Sequence, residues 1–552
     1  MQPSRTRLIC RAHNRFTPSI ALWQHYIAPN QPLLSQLRFS SSATEASYNN
    51  ADKDGSLFKA HEASELETRE GDVATEGKET PTPKIRKMTT VKGRWQSSKV
   101  NASIIKNVQK QYDSRKVSLT EPEKLLAIAR AAFEATEDYE GIVVKPMVNP
   151  KPVKESQLPW CLKQEERTMS GIDRLAIEMD RFYGFAKPTR FESIARKHLI
   201  EQVRNHVRKA LPDHVLEVFG SERTGLAFAT SDIDFRLVRQ SQIVDPAQAK
   251  LPPSPSERSK AIKDLNLLYW RRLKNNKAYL MPMLRYARYP LISLQDKESG
   301  LDVQIVLSND TSLSRIFMQG YMEQYPYLRQ LYYVIRTMFD VRGLSDVFRG
   351  GFGSYSLFMM VVASIRHNPH PRNDAAGGLI NFLKFWRDFD TKERGVSIEP
   401  VEFFDKASHP VITDTIKSKI EEGTTKLLPA YMLSLRDPAD ETNDLGRKGI
   451  AIKHVQATFR SLCQQLEYDT RVNTRSSILG PLVGSCYMLG HAPRAKLEEY
   501  GQRLVKHMET SLAAKAKAVR DAEDHDKDME MGIEGTEAVE ERQVGQDSKV
   551  EL

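Results

Sequence analysis

The 552-residue chain has four cysteines, Cys10, Cys161, Cys463 and Cys486, with no paired spacing among them. That scatter excludes a disulfide framework and a cysteine zinc site, and it fits a reducing compartment. Long apolar runs are absent as well, so no stretch reads as a membrane span. Acids are missing from the first 44 residues; the first is Glu45, whereas Arg5, Arg7, Arg11, Arg15 and Arg38 precede it and Arg38-Phe39-Ser40-Ser41-Ser42 follows in series. An acid-free leader rich in arginine and serine has the composition of a mitochondrial transit peptide. Residues 1–42 are therefore expected to direct import to the matrix; the alternative is a basic arm and a nuclear location.

The rest of the composition allows a folded enzyme of two or more domains. Hydrophobic residues make up 40% of the chain, enough for a real core. The formal charge of +10 favours a polyanionic partner without naming one. Residues 43–157 read as a disordered linker, acidic and poor in large apolar residues up to about Pro83. A basic segment follows, from Lys84 to Lys116, with Trp95 and Tyr112 interleaved. It suits single-stranded nucleic acid or a solvated tether equally. A short helix is predicted over 120–135, where Thr120 and Glu123 have capping-box spacing.

Chemistry concentrates at residues 218–238. An apolar run over 215–219 reads as a strand and is broken by Gly220-Ser221. Glycine there lets backbone approach a bulky anion, and a helix starting at that point aims N–H groups at it. The chain returns as a second strand over 231–238. Alternation puts Asp232 and Asp234 on one face, with Ile233, Phe235 and Leu237 on the other. Two carboxylates beside a phosphate-accepting turn suit divalent ions that carry a nucleoside triphosphate. A third strand is predicted at 300–307, with Leu301, Val303, Ile305 and Leu307 on one face and Asp302 and Gln304 on the other.

Gly220-Ser221, Thr224-Gly225-Leu226 and Ser231-Asp232-Ile233-Asp234, at this spacing, resemble the nucleotidyltransferase signature of the DNA polymerase β superfamily. Within it the chain is most similar to the non-canonical poly(A) polymerases and terminal uridylyltransferases of mitochondrial type, from about Leu175 to about Leu479. The resemblance implies an α/β fold: a nucleotidyltransferase palm with a small mixed β-sheet, plus a mostly helical poly(A) polymerase-associated domain. The implied divisions are helices at 158–190 that pack with the helical lobe, a palm at 191–311 and the helical nucleotide-binding domain at 312–498; beyond them the run of charge reads as a charged disordered tail at 499–552.

The resemblance also implies residue roles. Asp232, Asp234 and a third carboxylate would hold two Mg²⁺, with Mn²⁺ as an alternative. Read strictly, the family's third Asp falls on Gln304. Asp302 shares its face but lies about 6.6 Å upstream on an ideal strand. Asp302 is expected to serve through a slip or bulge; otherwise the third carboxylate is missing. Gly220, Ser221, Arg336 and Ser354 would contact phosphates. Tyr355, in Gly350-Gly351-Phe352-Gly353-Ser354-Tyr355, would stack on the incoming base. Asn443, Asp444 and Arg447 would read the base edge. The implied activity is template-independent addition of AMP from ATP to an RNA 3′ end. Two alternatives stay open: uridylyl addition, and a catalytically weak or inactive RNA-binding protein that keeps the fold. Protein partners held through the chain ends remain unspecified by the sequence.

Overall fold

The computed structural model describes residues 121–147, 153–240, 255–286, 290–307, 311–347, 350–484, 487 and 491–547. The expected leader, the acidic stretch, the basic segment and the Thr120 cap lie outside them. Helix α1 (Glu121–Ala135) comes first, then α2 (Gly171–Ala186) and α3 (Arg190–Ala210). Thr189 and Glu192 form a reciprocal capping box that starts α3. The palm follows: β1 (His214–Phe219), the short helix α4 (Gly220–Thr224), β2 (Ile233–Arg239), α5 (Pro255–Leu268), β3 (Tyr279–Arg285), β4 (Leu291–Asp296) and β5 (Asp302–Val306). After it come α6 (Ser312–Gln324), α7 (Leu328–Asp340), α8 (Ser354–His367), α9 (Ala375–Asp388), β6 (Arg394–Ser397), β7 (Glu402–Asp405), α10 (Asp414–Glu421), β8 (Arg436–Asp437), β9 (Asp440–Asp444), α11 (Ile452–Val472), α12 (Gly480–Val483) and α13 (His491–Asp547). The architecture is the expected mixed α/β palm with a mostly helical second lobe.

The palm sheet has the order β1-β2-β5-β4-β3, with β2 and β5 parallel and the other pairs antiparallel. Its register sorts the side chains cleanly. Val218, Phe235, Ile305, Ile292 and Leu284 lie in one transverse row and face the palm core, with α3 residues such as Leu199 and Val203. Because side chains alternate, Asp234, Gln304, Ser293 and Met283 form a row on the opposite face. One step farther along β2, a second row on that face holds Glu217, Arg236, Val306, Leu291 and Arg285.

Two expectations about the chain ends need correction. Residues 121–147 are no linker: Leu126, Ile128, Ala129, Ala132 and Val144 are buried in the core of the helical lobe. The ring of His454 on α11 holds the segment, accepting at Nδ1 from the Ile142 amide at 2.9 Å and donating from Nε2 to the Leu125 carbonyl at 2.9 Å. The C-terminal segment is helix as far as Asp547, not a disordered tail from 499. Leu497 and Tyr500 of α13 are buried against the palm core, because this first part of the helix carries apolar residues that α3 needs covered. Among the described residues, no helix is long and apolar enough to cross a membrane.

Candidate active site

The site begins at the turn between β1 and α4. Gly220 has φ +66°, and a Cβ there would stand 2.7 Å from Asp234 Oδ2. Only glycine tolerates both the left-handed backbone and that approach. Gly225 closes α4 in a left-handed cap, φ +72°, and its carbonyl accepts from Arg329 Nη1 of α7 at 3.3 Å. The Gly-Ser and Thr-Gly-Leu parts of the motif thus seat a one-and-a-half-turn helix against the carboxylates, with Ser221 in its first turn. The loop before β2 is fixed from both lobes. Arg196, buried on α3, donates from Nη1 to the carbonyls of Ala229 and Ser231 at 3.1 and 2.8 Å, and the Tyr333 hydroxyl donates to the Ala227 carbonyl at 2.7 Å. Sequence reasoning missed Arg196; a charged residue in line with the apolar face of α3 was the available signal.

Asp232 and Asp234 stand together as expected. Burial, and secondarily the charge of Asp232, push the Asp234 carboxyl up to about 7. The third position is where structure and expectation part. The β2–β5 register is regular, Ile233 opposite Val303 and Asp234 opposite Gln304, with no bulge. Gln304 Nε2 donates to Asp232 Oδ2 at 3.0 Å. Asp302 is buried deeper along the same face, where its Oδ1 accepts from Gln295 Nε2 of β4 at 3.2 Å. The slip that would have made Asp302 the third ligand does not occur. Among the described residues, no three His, Cys, Asp or Glu side chains come together as a metal site. The residues present fit a divalent ion between Asp232 and Asp234. They do not fit the two-ion set, because Gln304 offers a neutral amide in place of a charge and a base.

The helical lobe supplies the facing wall. Arg336 of α7 is close enough to Asp232 for their charges to interact. Its Nε and Nη2 are held by Asp340, each at 3.1 Å, while its buried Nη1 has no acceptor. Asp340, pushed up to about 6 by burial against the opposing pull of Arg336, also accepts from the Ser345 hydroxyl. Asp340 therefore aims Arg336. Ser354 opens α8, and its carbonyl accepts from the Tyr332 hydroxyl.

Tyr355, half-buried, donates its hydroxyl to Asp437 Oδ1 at 2.7 Å, and Asn443 Nδ2 donates to Asp437 Oδ2 at 2.8 Å. Asp437, not singled out from the sequence as a site residue, locks the Tyr355 ring to the loop. Asp444 is corrected in role: its Oδ1 accepts from the Leu435 and Gly446 amides at 3.0 and 2.8 Å, so this buried carboxylate shapes the loop from within. Arg447 lies half-buried on the same loop.

With this geometry in place, residues 175–316 match the family model described as "Poly(A) RNA polymerase, mitochondrial-like, central palm domain". Over these residues the palm is similar to the central palm of the mitochondrial-like poly(A) RNA polymerases. The chain is also similar to poly(A) RNA polymerase CID14 of Cryptococcus neoformans, 26% identical over 60% of this chain and 42% of its own length. Poly(A) RNA polymerase cid14 of Schizosaccharomyces pombe is 27% identical over 54% of this chain and 41% of its own. The chain thus spans less than half the length of these two relatives. Among solved structures, the polymerase core of TRAMP, an RNA surveillance complex, aligns with a TM-score of 0.49 and 21% identity. It covers 59% of this chain and 99% of its own.

Proposed function

We propose that the protein is an ATP-using terminal nucleotidyltransferase that extends RNA 3′ ends, working slowly because one carboxylate of its site is a glutamine. The observation that carries this is the Asp232–Asp234 pair seated on the Gly220-Ser221 turn opposite Arg336. A divalent ion held by the two aspartates would supply charge to the triphosphate. Ser221 and the turn bind phosphate, Arg336 orients it, and Tyr355, fixed by Asp437, stacks on the base. The RNA 3′-hydroxyl meets an amide at Gln304, which neither takes its proton nor adds negative charge.

A second reading, favoured by the Gln304–Asp232 hydrogen bond, is a nucleotide- and RNA-holding protein without transfer. A tailing assay with a 3′-hydroxyl oligonucleotide, Mg²⁺ and each NTP separates the two. The expected result is slow AMP addition, abolished in Asp232→Ala and Asp234→Ala and raised ~100-fold or more in Gln304→Asp, the lower end of what a positioned general base contributes. Preference for UTP would replace the adenylyl reading. No addition by wild type, with addition gained in Gln304→Asp, would establish the second reading.

A further inference from the structure

The cleft face of the palm sheet carries positive charge that the nucleotide site does not use. In the row one step beyond Asp234 and Gln304, Arg236 on β2 and Arg285 on β3 stand apart, with Val306 and Leu291 between them. Three strand spacings separate them by about 14 Å. Beside Arg236, Arg223 of α4 lies close enough to both Arg236 and Arg315 of α6 for their charges to act on it. Glu217 stands 3.6 Å from Arg236. Burial, then the Arg315 charge, holds Arg223 below the ordinary arginine range. At the other end, Nε, Nη1 and Nη2 of Arg285 are all buried with no acceptor, as is Nε of Arg315. Burial alone pushes Arg285 down to about 10.

A guanidinium keeps its charge and presents five donors, so sealing one without acceptors destabilises the fold unless a ligand offsets the cost. Phosphate is the anion whose geometry matches the fork. The triphosphate belongs on the other side of the aspartates, between the Gly220 turn and Arg336. We propose that the Arg223–Arg236–Arg315 cluster and Arg285 take separate backbone phosphates of the RNA strand as its 3′ end reaches Asp232 and Asp234. This deepens the nucleotidyltransferase reading and rests on its assignment of RNA as substrate.

Fluorescence anisotropy of a labelled oligo(A) RNA with the full chain, in chelator, tests it without transfer or metal. Arg285→Met and Arg315→Met should each weaken RNA binding roughly tenfold. Each should also lower the slope of log affinity against log salt by about 0.7, the value for one single-strand phosphate contact. Binding of MgATP, followed with a fluorescent analogue, should stay at the wild-type level in both and fall in Arg336→Met. Arg285→Met should melt no lower than wild type, since it keeps the length of the side chain and removes an unpartnered charge. RNA affinity unchanged in Arg285→Met would overturn the proposal, as would a fall in MgATP affinity matching any fall in RNA affinity. Failure of the parent reading looks different: wild type holds RNA through the row yet transfers no nucleotide.

Discussion

Gln304 changes what its two neighbouring carboxylates ask of their surroundings. With a carboxylate at that position, three negative charges would share one face in the absence of metal; the amide instead donates to Asp232. Asp234 still resists ionisation, being buried beside Asp232. Gln304→Asp is therefore expected to melt lower than wild type in chelator at pH 8, and Mg²⁺ should raise it more than it raises wild type. Differential scanning fluorimetry with and without Mg²⁺ reads this; equal Mg²⁺ responses would mean that position 304 does not face the ion. Asp234→Asn should melt higher than wild type in chelator, since it removes a buried charge and a repulsion. At this scale the sequence was legible wherever alternation alone decides. Asp232 and Asp234 on one face, and Ile233 and Phe235 on the other, follow from period two. The same alternation pointed to Gln304, and preferring Asp302 required a bulge that the regular β2–β5 register does not contain. Asp444 misled for a different reason. A motif position says which loop a residue belongs to, and its oxygens were taken up by that loop's own amides.

Elements whose partners are distant in sequence were the hardest to read. The segment 121–147 carries apolar residues, but what holds it lies more than three hundred residues on: His454 of α11 on Leu125 and Ile142, Thr458 of α11 on Val144, and the Ile450 carbonyl on the Tyr139 hydroxyl. A short isolated helix with no visible partner reads as a linker, because helices of this length gain most of their stability from packing. The clamp titrates. The buried His454 ring is depressed to about 4, by burial first, with two hydrogen bonds opposing the shift. Its ordinary value is 6.5, so the neutral ring's contribution is complete above pH 6.5 and is lost as pH falls through 4. Amide exchange at Ile142 and Val144 should accelerate between pH 6 and pH 4 relative to amides of the palm. His454→Gln should flatten that dependence, since Gln does not titrate in this range. Equal acceleration in palm and lobe would mean that acid opens the whole protein rather than this segment.

At the scale of the molecule, the helical lobe is discontinuous: 121–186 and 311–484 build it, with the palm inserted between them. The chain then crosses back, and α13 lies along α3 with Leu497 and Tyr500 in the palm core. Truncation after residue 510 is expected to leave the melting temperature near that of the full chain, because the described side chains of α13 beyond Met508 are exposed. Truncation before residue 491 should lower it by several degrees by uncovering α3, as thermal melts of the two shortened chains would show.

Arg494 has a further effect, through the way the chain passes between lobes. It donates to the carbonyls of Phe185 and Lys187 and pairs with Glu192, whose side chain is fully buried. The outgoing crossing at 187–189 and the returning one at 484–491 are thereby stitched into a single anchor. That anchor adds to the contacts that already tie the lobes together at the site, Arg329 to the Gly225 carbonyl and Tyr333 to the Ala227 carbonyl, so the start of α3, and with it Arg196, is held from both ends of the helical lobe.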